Sequence, residues 1–185
     1  MDILFVSLGI IAGLLFVLVV GVFVGGRFLP ERYEATFVIE LPCKSQEVWD
    51  ALMDIEKNPV TGSMCKRSER LADVNGMPSW LEDMGSSKII VTTEQMQPPS
   101  RLRRRFADQV VPMTAESDTA IEETATGCRV TASVVNVVRL GTWHVPFFRV
   151  ILLFGGGKSG LRSYWKRLAR GLGKDAYFGA KIVKK

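Results

Sequence analysis

Histidine and cysteine are scarce. The 185-residue chain has one histidine, His144, and three widely separated cysteines, Cys43, Cys65 and Cys128. It has no C-x-x-C, no H-E-x-x-H and no clustered His/Cys set. A zinc site draws its ligands from such clusters, so neither a metal site nor a cofactor is expected. A Ser-His-Asp or Cys-His mechanism would have to use His144, and nothing around it marks a nucleophile elbow. Beside Trp143, this lone imidazole reads as a structural hydrogen-bonding group. An odd number of scattered thiols suits a reducing compartment better than a disulfide framework. Phosphate-loop chemistry is also missing. "GGGKSG" at 155–160 has Leu152 where G-x-x-x-x-G-K-[ST] requires its first glycine, and it follows a helical run rather than a strand. It reads as a helix break. No internal repeat and no low-complexity segment is present.

Charge is absent from Ile3 to Gly26, "ILFVSLGIIAGLLFVLVVGVFVGG". About 20 apolar residues cross a hydrocarbon core, so this run is long enough for one span. A cleaved signal fits less well, because no basic n-region precedes the run and it exceeds the usual ~7–15 residues. Residues 1–26 are therefore expected to be a retained single-pass anchor, followed by a linker at 27–33. Arg27, Arg32 and Lys44 come after the run and only Asp2 before it, which places the carboxy-terminal domain in the cytoplasm. The remaining ~160 residues suffice for one core.

The rest of the chain alternates short periodic runs with turn signals. In "EATFVIELP", Ala35, Phe37, Ile39 and Leu41 share one face of a strand. Ser45 is placed to cap a helix in which Val48, Trp49, Leu52, Met53 and Ile55 recur at helical spacing. Pro59 and Gly62 break it. Six strand-like runs follow: "SERLADV", "SWLEDM", "KIIVTTEQM", "RLRRRFADQ", "TAIEETA" and "CRVTASVVNVV", the first two joined by the hairpin dipeptide Asn75-Gly76. Short connections between successive strands favour one antiparallel sheet. "PFFRVILLF" is too short to span a bilayer and carries Arg149, so it reads as a buried helix face. Leu161, Trp165, Leu168 and Leu172 then form an apolar stripe, with Arg162, Lys166 and Arg170 turned away from it.

The run "PPSRLRRRF" at 98–106 holds four arginines within five positions. On a strand, Arg101, Arg103 and Arg105 face one way, and Leu102, Arg104 and Phe106 the other. Arg104 is thus an arginine on an apolar face. An unpaired buried charge is costly, so Arg104 is expected to pair with an acid such as Glu94 or Glu122, or to meet the polar end of a ligand. The formal charge is +5, and from Lys158 to Lys185 nine basic residues face one acid, Asp175. This basic tail, 173–185 with the preceding helix face, suits an anionic lipid surface. Aromatics suited to base stacking are not interleaved with it, which disfavours nucleic acid.

In order, the elements are strand, helix, a broken segment, about six antiparallel strands and a long carboxy-terminal helix. This resembles the START-like superfamily (SRPBCC, the polyketide cyclase and lipid-transfer or helix-grip proteins). Three stretches carry the likeness: "FVIELPCKSQEVWDALMDIEKNP", "PPSRLRRRFAD" and "VPFFRVILLFGG". It covers roughly residues 33–172. The resemblance implies an α+β helix-grip fold over 34–172, with a curved antiparallel sheet wrapped around the carboxy-terminal helix, plus the amino-terminal transmembrane helix. It also implies an apolar cavity between sheet and helix. Trp80, Arg104, Phe106, Trp143, Phe147, Ile151 and Phe154 are the candidate ligand-binding residues. The function this favours is a membrane-anchored binding module for a hydrophobic small molecule (a lipid, quinone or polyketide-like compound). One alternative is an aromatase/cyclase-type enzyme using Arg104, His144 or Tyr164. The other is an adaptor whose basic tail binds protein or nucleic acid. No acid/base pair stands out, so catalytic residues are assigned to none of these positions and the binding module is preferred.

Overall fold

A computed structural model describes residues 2–179 of the chain. It opens with helix α1 (Asp2–Arg27), whose length of ~39 Å at 1.5 Å per residue exceeds a hydrocarbon core. Its apolar side chains from Phe5 to Val20 lie on the surface of the chain. Strand β1 (Arg32–Leu41) follows, then helix α2 (Ser45–Met53) and a single 3₁₀ turn at Gly62–Met64. Six strands come next: β2 (Arg67–Val74), β3 (Met77–Asp83), β4 (Lys88–Gln97), β5 (Arg101–Asp108), β6 (Met113–Thr124) and β7 (Gly127–Val138). Helices α3 (Val145–Leu153) and α4 (Gly156–Gly171) and a short strand β8 (Tyr177–Gly179) complete the chain.

One eight-stranded antiparallel sheet has the order β2-β3-β4-β5-β6-β7-β1-β8. From β2 to β7 every strand pairs with the next, as the short turns require. Asn75 and Gly76, both at positive φ, form the tight β2–β3 hairpin. β1 instead pairs along its whole length with β7, from Arg32 opposite Val137 to Leu41 opposite Cys128. This pairing brings the beginning of the domain onto its last long strand. The alternation of β1 is as expected: Ala35, Ile39 and Leu41 are buried, and Phe37 packs against the same core. The stripe of α4 seats Trp165 and Leu168 between β1, β7 and α2, where they meet Val48, Trp49, Leu52 and Val130. A second, smaller core of Ile55, Trp80, Ile89 and Val91 lies toward β3 and β4.

Two local expectations are corrected. Ser45 is not the cap of α2. Lys44 occupies that position, its N–H donating to Glu47 at 3.0 Å, while the Ser45 hydroxyl donates to Glu123 at 2.8 Å. A carboxylate within reach on β6 competes successfully for the hydroxyl. The break at 155–160 is also narrower than the glycine run suggests. It is confined to Phe154 and Gly155, where Gly155 takes a left-handed φ of 95°, and α4 has begun by Gly156. Within the expected basic tail, residues 177–179 add β8 to the open edge of β1, with Phe178 edge-on to Phe37 at 6.0 Å. Residues 180–185, with Lys181, Lys184 and Lys185, lie outside the described residues.

Candidate functional site

The concave face of the sheet carries its polar groups toward β3–β5. Strand parity puts Trp80 and Glu82 of β3, Thr93 of β4, and Leu102, Arg104 and Phe106 of β5 on this side, as expected for the β5 residues. Arg104 is 2% exposed, whereas Arg101 and Arg105 face solvent and Arg103 is half-buried. The outer charges pair on the convex face, Arg101 with Asp118 at 2.7 Å and Arg103 with Glu94 at 3.3 Å and Glu116 at 3.0 Å.

The expected acid for Arg104 is corrected. Neither Glu94 nor Glu122 pairs with it. Its Nη2 donates to the Leu52 carbonyl at 2.9 Å and lies 3.5 Å from the Met53 sulfur, and the guanidinium sits 5.4 Å from the Trp80 ring centroid. The Arg104 Nε–H and the neighbouring Thr93 hydroxyl have no hydrogen-bond partner among the described residues. These two residues are directly paired across β4 and β5. Burial pushes the guanidinium pKa down, opposed by Tyr164 and by the buried carboxylate of Glu82. Burial pushes the Tyr164 hydroxyl pKa up, so this phenol is held neutral.

Glu82 has a structural task of its own, which the sequence reading did not assign. It is wholly buried, and its carboxylate accepts the Val60 N–H at 2.7 Å, the Thr61 N–H at 2.8 Å and the Thr61 hydroxyl at 2.6 Å. This ties the loop after α2 onto the sheet. Asp108 does the same at the end of β5, accepting the Ser87 hydroxyl at 2.6 Å and the N–H groups of Val110 and Val111 at 2.8 and 3.0 Å. The two carboxylates thereby shape the walls of a cavity.

That cavity has a volume of ≈ 820 Å³ and opens at one end of the sheet. Its walls come from residues 61–66, the β3–β4 turn, the β5–β6 loop and the segment 143–148 leading into α3. Met64, Met84, Ile89, Val110, Val111, Met113, Trp143 and Phe148 give it an apolar lining, with Lys66, Asp108 and His144 among the polar groups. Its volume lies within the ~300–1,000 Å³ range of small-molecule pockets. The His144 Nε2 is 3.1 Å from the Thr142 hydroxyl, and the ring is edge-on to Trp143 and Phe148. Among the described residues, no three His, Cys, Asp or Glu side chains converge to hold a metal.

The candidate ligand residues divide into three groups. Trp143 lines the cavity. With Phe147 and Ile151 it also lines an adjoining apolar recess of ≈ 360 Å³. Trp80, Arg104 and Phe106 stand together on the concave face, where Trp80 and Phe106 belong to the small core that includes the cavity-lining Ile89. Phe154 lies apart, 84% exposed at the end of α3. The methionine and valine lining was not anticipated, because it comes from loops and from Met113 at the start of β6, where no periodicity assigns a face.

No protein-family model matches the sequence, and neither does any curated protein. Solved structures do match in fold. A conserved protein from Geobacillus kaustophilus superposes with a TM-score of 0.56 at 16% identity, over 78% of this chain and 99% of that one. The Zhui aromatase/cyclase from Streptomyces sp. R1128 gives 0.55 at 11% identity, over 74% and 90%. The di-domain ARO/CYC BexL from the BE-7585A biosynthetic pathway gives 0.50 at 11% identity, over 73% of this chain and 50% of that one. The fold is the helix-grip fold. At these identities the likeness speaks to architecture, an α+β domain built on a large curved antiparallel sheet with an additional apolar amino-terminal helix.

Proposed function

We propose that this chain is a membrane-anchored binding module for a hydrophobic small molecule of the lipid, quinone or polyketide-like class. In this reading residues 1–26 are the anchor, 34–172 the binding domain on the cytoplasmic side, and 173–185 a basic tail. The observation that carries the proposal is the ≈ 820 Å³ apolar cavity whose wall, at Trp143 and Phe148, leads directly into the helix that packs on α1. Helix-grip neighbours that are aromatase/cyclases support an apolar ligand at the level of the fold. The ligand's apolar body lies among Met64, Met84, Met113 and Trp143. Arg104 with its free Nε–H, beside the Thr93 hydroxyl, is the group that receives a ligand oxygen reaching past Ile89 toward Trp80 and Phe106.

The test is mass spectrometry of the apolar compounds that leave with the full chain purified in native lipid particles. The comparison is Val111→Trp, which puts a bulky side chain into the cavity. One compound enriched over bulk lipid in the parent and lost in the variant supports binding, and identical complements in both contradict it. The same arrangement of Arg104, Thr93 and neutral Tyr164 also favours a second reading, an aromatase/cyclase-type enzyme in which Arg104 polarises an enolisable carbonyl. Conversion of the recovered compound on incubation with the purified chain, rather than its unchanged retention, would select that reading.

A further inference from the structure

The segment from Leu140 to Phe154 leaves an apolar surface uncovered. Leu140, Trp143, Ile151, Leu153 and Phe154 are exposed large apolar side chains, with Trp143 74% exposed. Phe28, just past the end of α1, is 85% exposed. Trp143, Phe147 and Ile151 border one apolar recess on this surface, and exposed apolar surface of this kind marks a binding face. At nine residues, or ~14 Å, α3 is far too short to cross a bilayer.

What covers this face follows from where α3 is fastened. The last turns of α1 pack on it: Phe23 lies 6.4 Å from Phe147, and Gly26 is so close to the Pro146 carbonyl that a Cβ there would collide with it. Arg149 of α3, 1% exposed, then locks the junction. Its guanidinium donates to the carbonyls of Arg27 at 3.3 Å and Leu29 at 3.1 Å, to the Val138 carbonyl at 2.8 Å and to the Glu31 carboxylate at 2.9 Å. The exposed side chains of α3 are therefore held at the place where an apolar helix of spanning length ends. Arg27 and Arg139 are exposed at the same end, placed to meet lipid phosphates.

We propose that residues 140–154 form a second membrane contact, with α3 lying in the interface plane and Trp143 at headgroup depth, so that the mouth of the cavity opens onto the bilayer and its ligand enters from the lipid. This rests on the reading of α1 as the anchor. Trp143 and Phe148 belong both to the cavity wall and to this segment, which leaves no stretch of water between the lipid and the pocket. An interfacial helix with a tryptophan at headgroup level matches the chemistry of that layer.

The experiment uses the intrinsic fluorescence of the full chain in phosphatidylcholine vesicles. Of the four tryptophans, Trp49, Trp80 and Trp165 are buried, so the component removed by Trp143→Phe reports this face alone. The expected result is strong quenching of that component by lipid brominated near the headgroup, weaker quenching by lipid brominated near the midplane, and little by aqueous iodide. Quenching by iodide but not by brominated lipid would overturn the docking while leaving the anchor intact, provided the chain still floats with the vesicles. Shielding from both quenchers in a chain cross-linked to a second copy would overturn it in favour of a dimer face. A chain that fails to float with the vesicles would overturn the anchor and the docking together.

Discussion

Arg149 and Glu31 meet at 2.9 Å with the arginine buried and the carboxylate at the surface, and the pair fastens the end of α1 to the helix-grip domain. The carboxylate is the smaller part of the junction. Three backbone carbonyls depend on the same guanidinium: Val138, Leu29 just past α1, and Arg27 at its carboxy-terminal end, where unsatisfied acceptors and the negative end of the helix dipole favour a cation. Arg149→Met should cost about 3 kcal/mol or more, because it strands buried acceptors, whereas Glu31→Gln should cost no more than about 1 kcal/mol. Thermal unfolding of the two variants in the same detergent checks this. Equal losses would show that the ion pair, not the carbonyl cluster, holds the junction.

The four arginines of β5 should separate sharply. Glutamine at Arg101, Arg103 and Arg105 should lower stability by about 0–1 kcal/mol each, since the ion pairs of Arg101 and Arg103 lie at the surface and Arg105 faces solvent. Arg104→Met should leave stability unchanged or raise it. It removes a buried charge that has one carbonyl acceptor and an unused N–H, at the expense of one bond to Leu52 and its proximity to Glu82. The same variant should lose at least tenfold in affinity for the recovered ligand. A large loss of stability with unchanged affinity would assign Arg104 to the core alone.

Parity made the facing of β5 legible, and parity also contained the answer on its partner. With Thr93 and Ile121 turned inward, Glu94 and Glu122 must turn outward, out of reach of Arg104. The ladder adds a shift between Thr93 and Gln95 that leaves Glu94 beside Arg103. The inward face of β1 and the α4 stripe were similarly readable from periods of two and 3.6, and the pairing of successive strands from β2 to β7 from their short turns, whereas the pairing of β1 with β7 has no such local signal. The role of Glu82 was not, although its parity with Trp80 hinted at burial, because its partners lie some twenty residues away in a loop. The cavity was the least legible part. Met64, Met84 and Val110 reach it from connections, and Met113 from the very start of β6, along paths set by carboxylate-to-backbone bonds and not by any repeating pattern.

Glu82→Gln should loosen the wall of the cavity. An amide cannot accept all three hydrogen bonds now made to the carboxylate without placing an NH₂ group against a donor. The expected cost is about 1–3 kcal/mol, with faster amide exchange at Val60 and Thr61. Unchanged exchange at those two positions would refute the assignment.

The thiols should respond to pH in a defined direction. Burial is the main cause that pushes Cys128 up from 9.0 to about 12, and it also raises Cys43. The native state therefore holds its proton where the unfolded chain has released it. Stability from these buried neutral thiols is complete below pH ~9 and should fall as pH rises from ~9 toward 12. At pH 8 a thiol reagent should modify Cys65, which is partly accessible, long before Cys43 or Cys128. Equal labelling rates for all three would contradict the packing of β1 against β7.

The basic face of α4 should strengthen the proposed lipid contact. Arg162, Lys166 and Arg170 are exposed, whereas Arg167 turns back to the Pro59 carbonyl at 3.4 Å. Each exposed cation near an anionic leaflet contributes on the order of 1 kcal/mol within about one Debye length. Replacing the three with glutamine should weaken labelling of the domain by a photoreactive anionic lipid and flatten its salt dependence. Labelling that ignores both the substitutions and salt would reject an electrostatic role.

The most direct test of the cavity as a binding site is photo-crosslinking of the full chain with a diazirine-bearing fatty acid, followed by mapping of the modified peptides. The expected adducts fall on the four wall segments, at Met64, Met84, Met113 and Trp143, and disappear in Val111→Trp. Adducts confined to α1, unchanged by Val111→Trp, would contradict a hydrophobic ligand in this cavity.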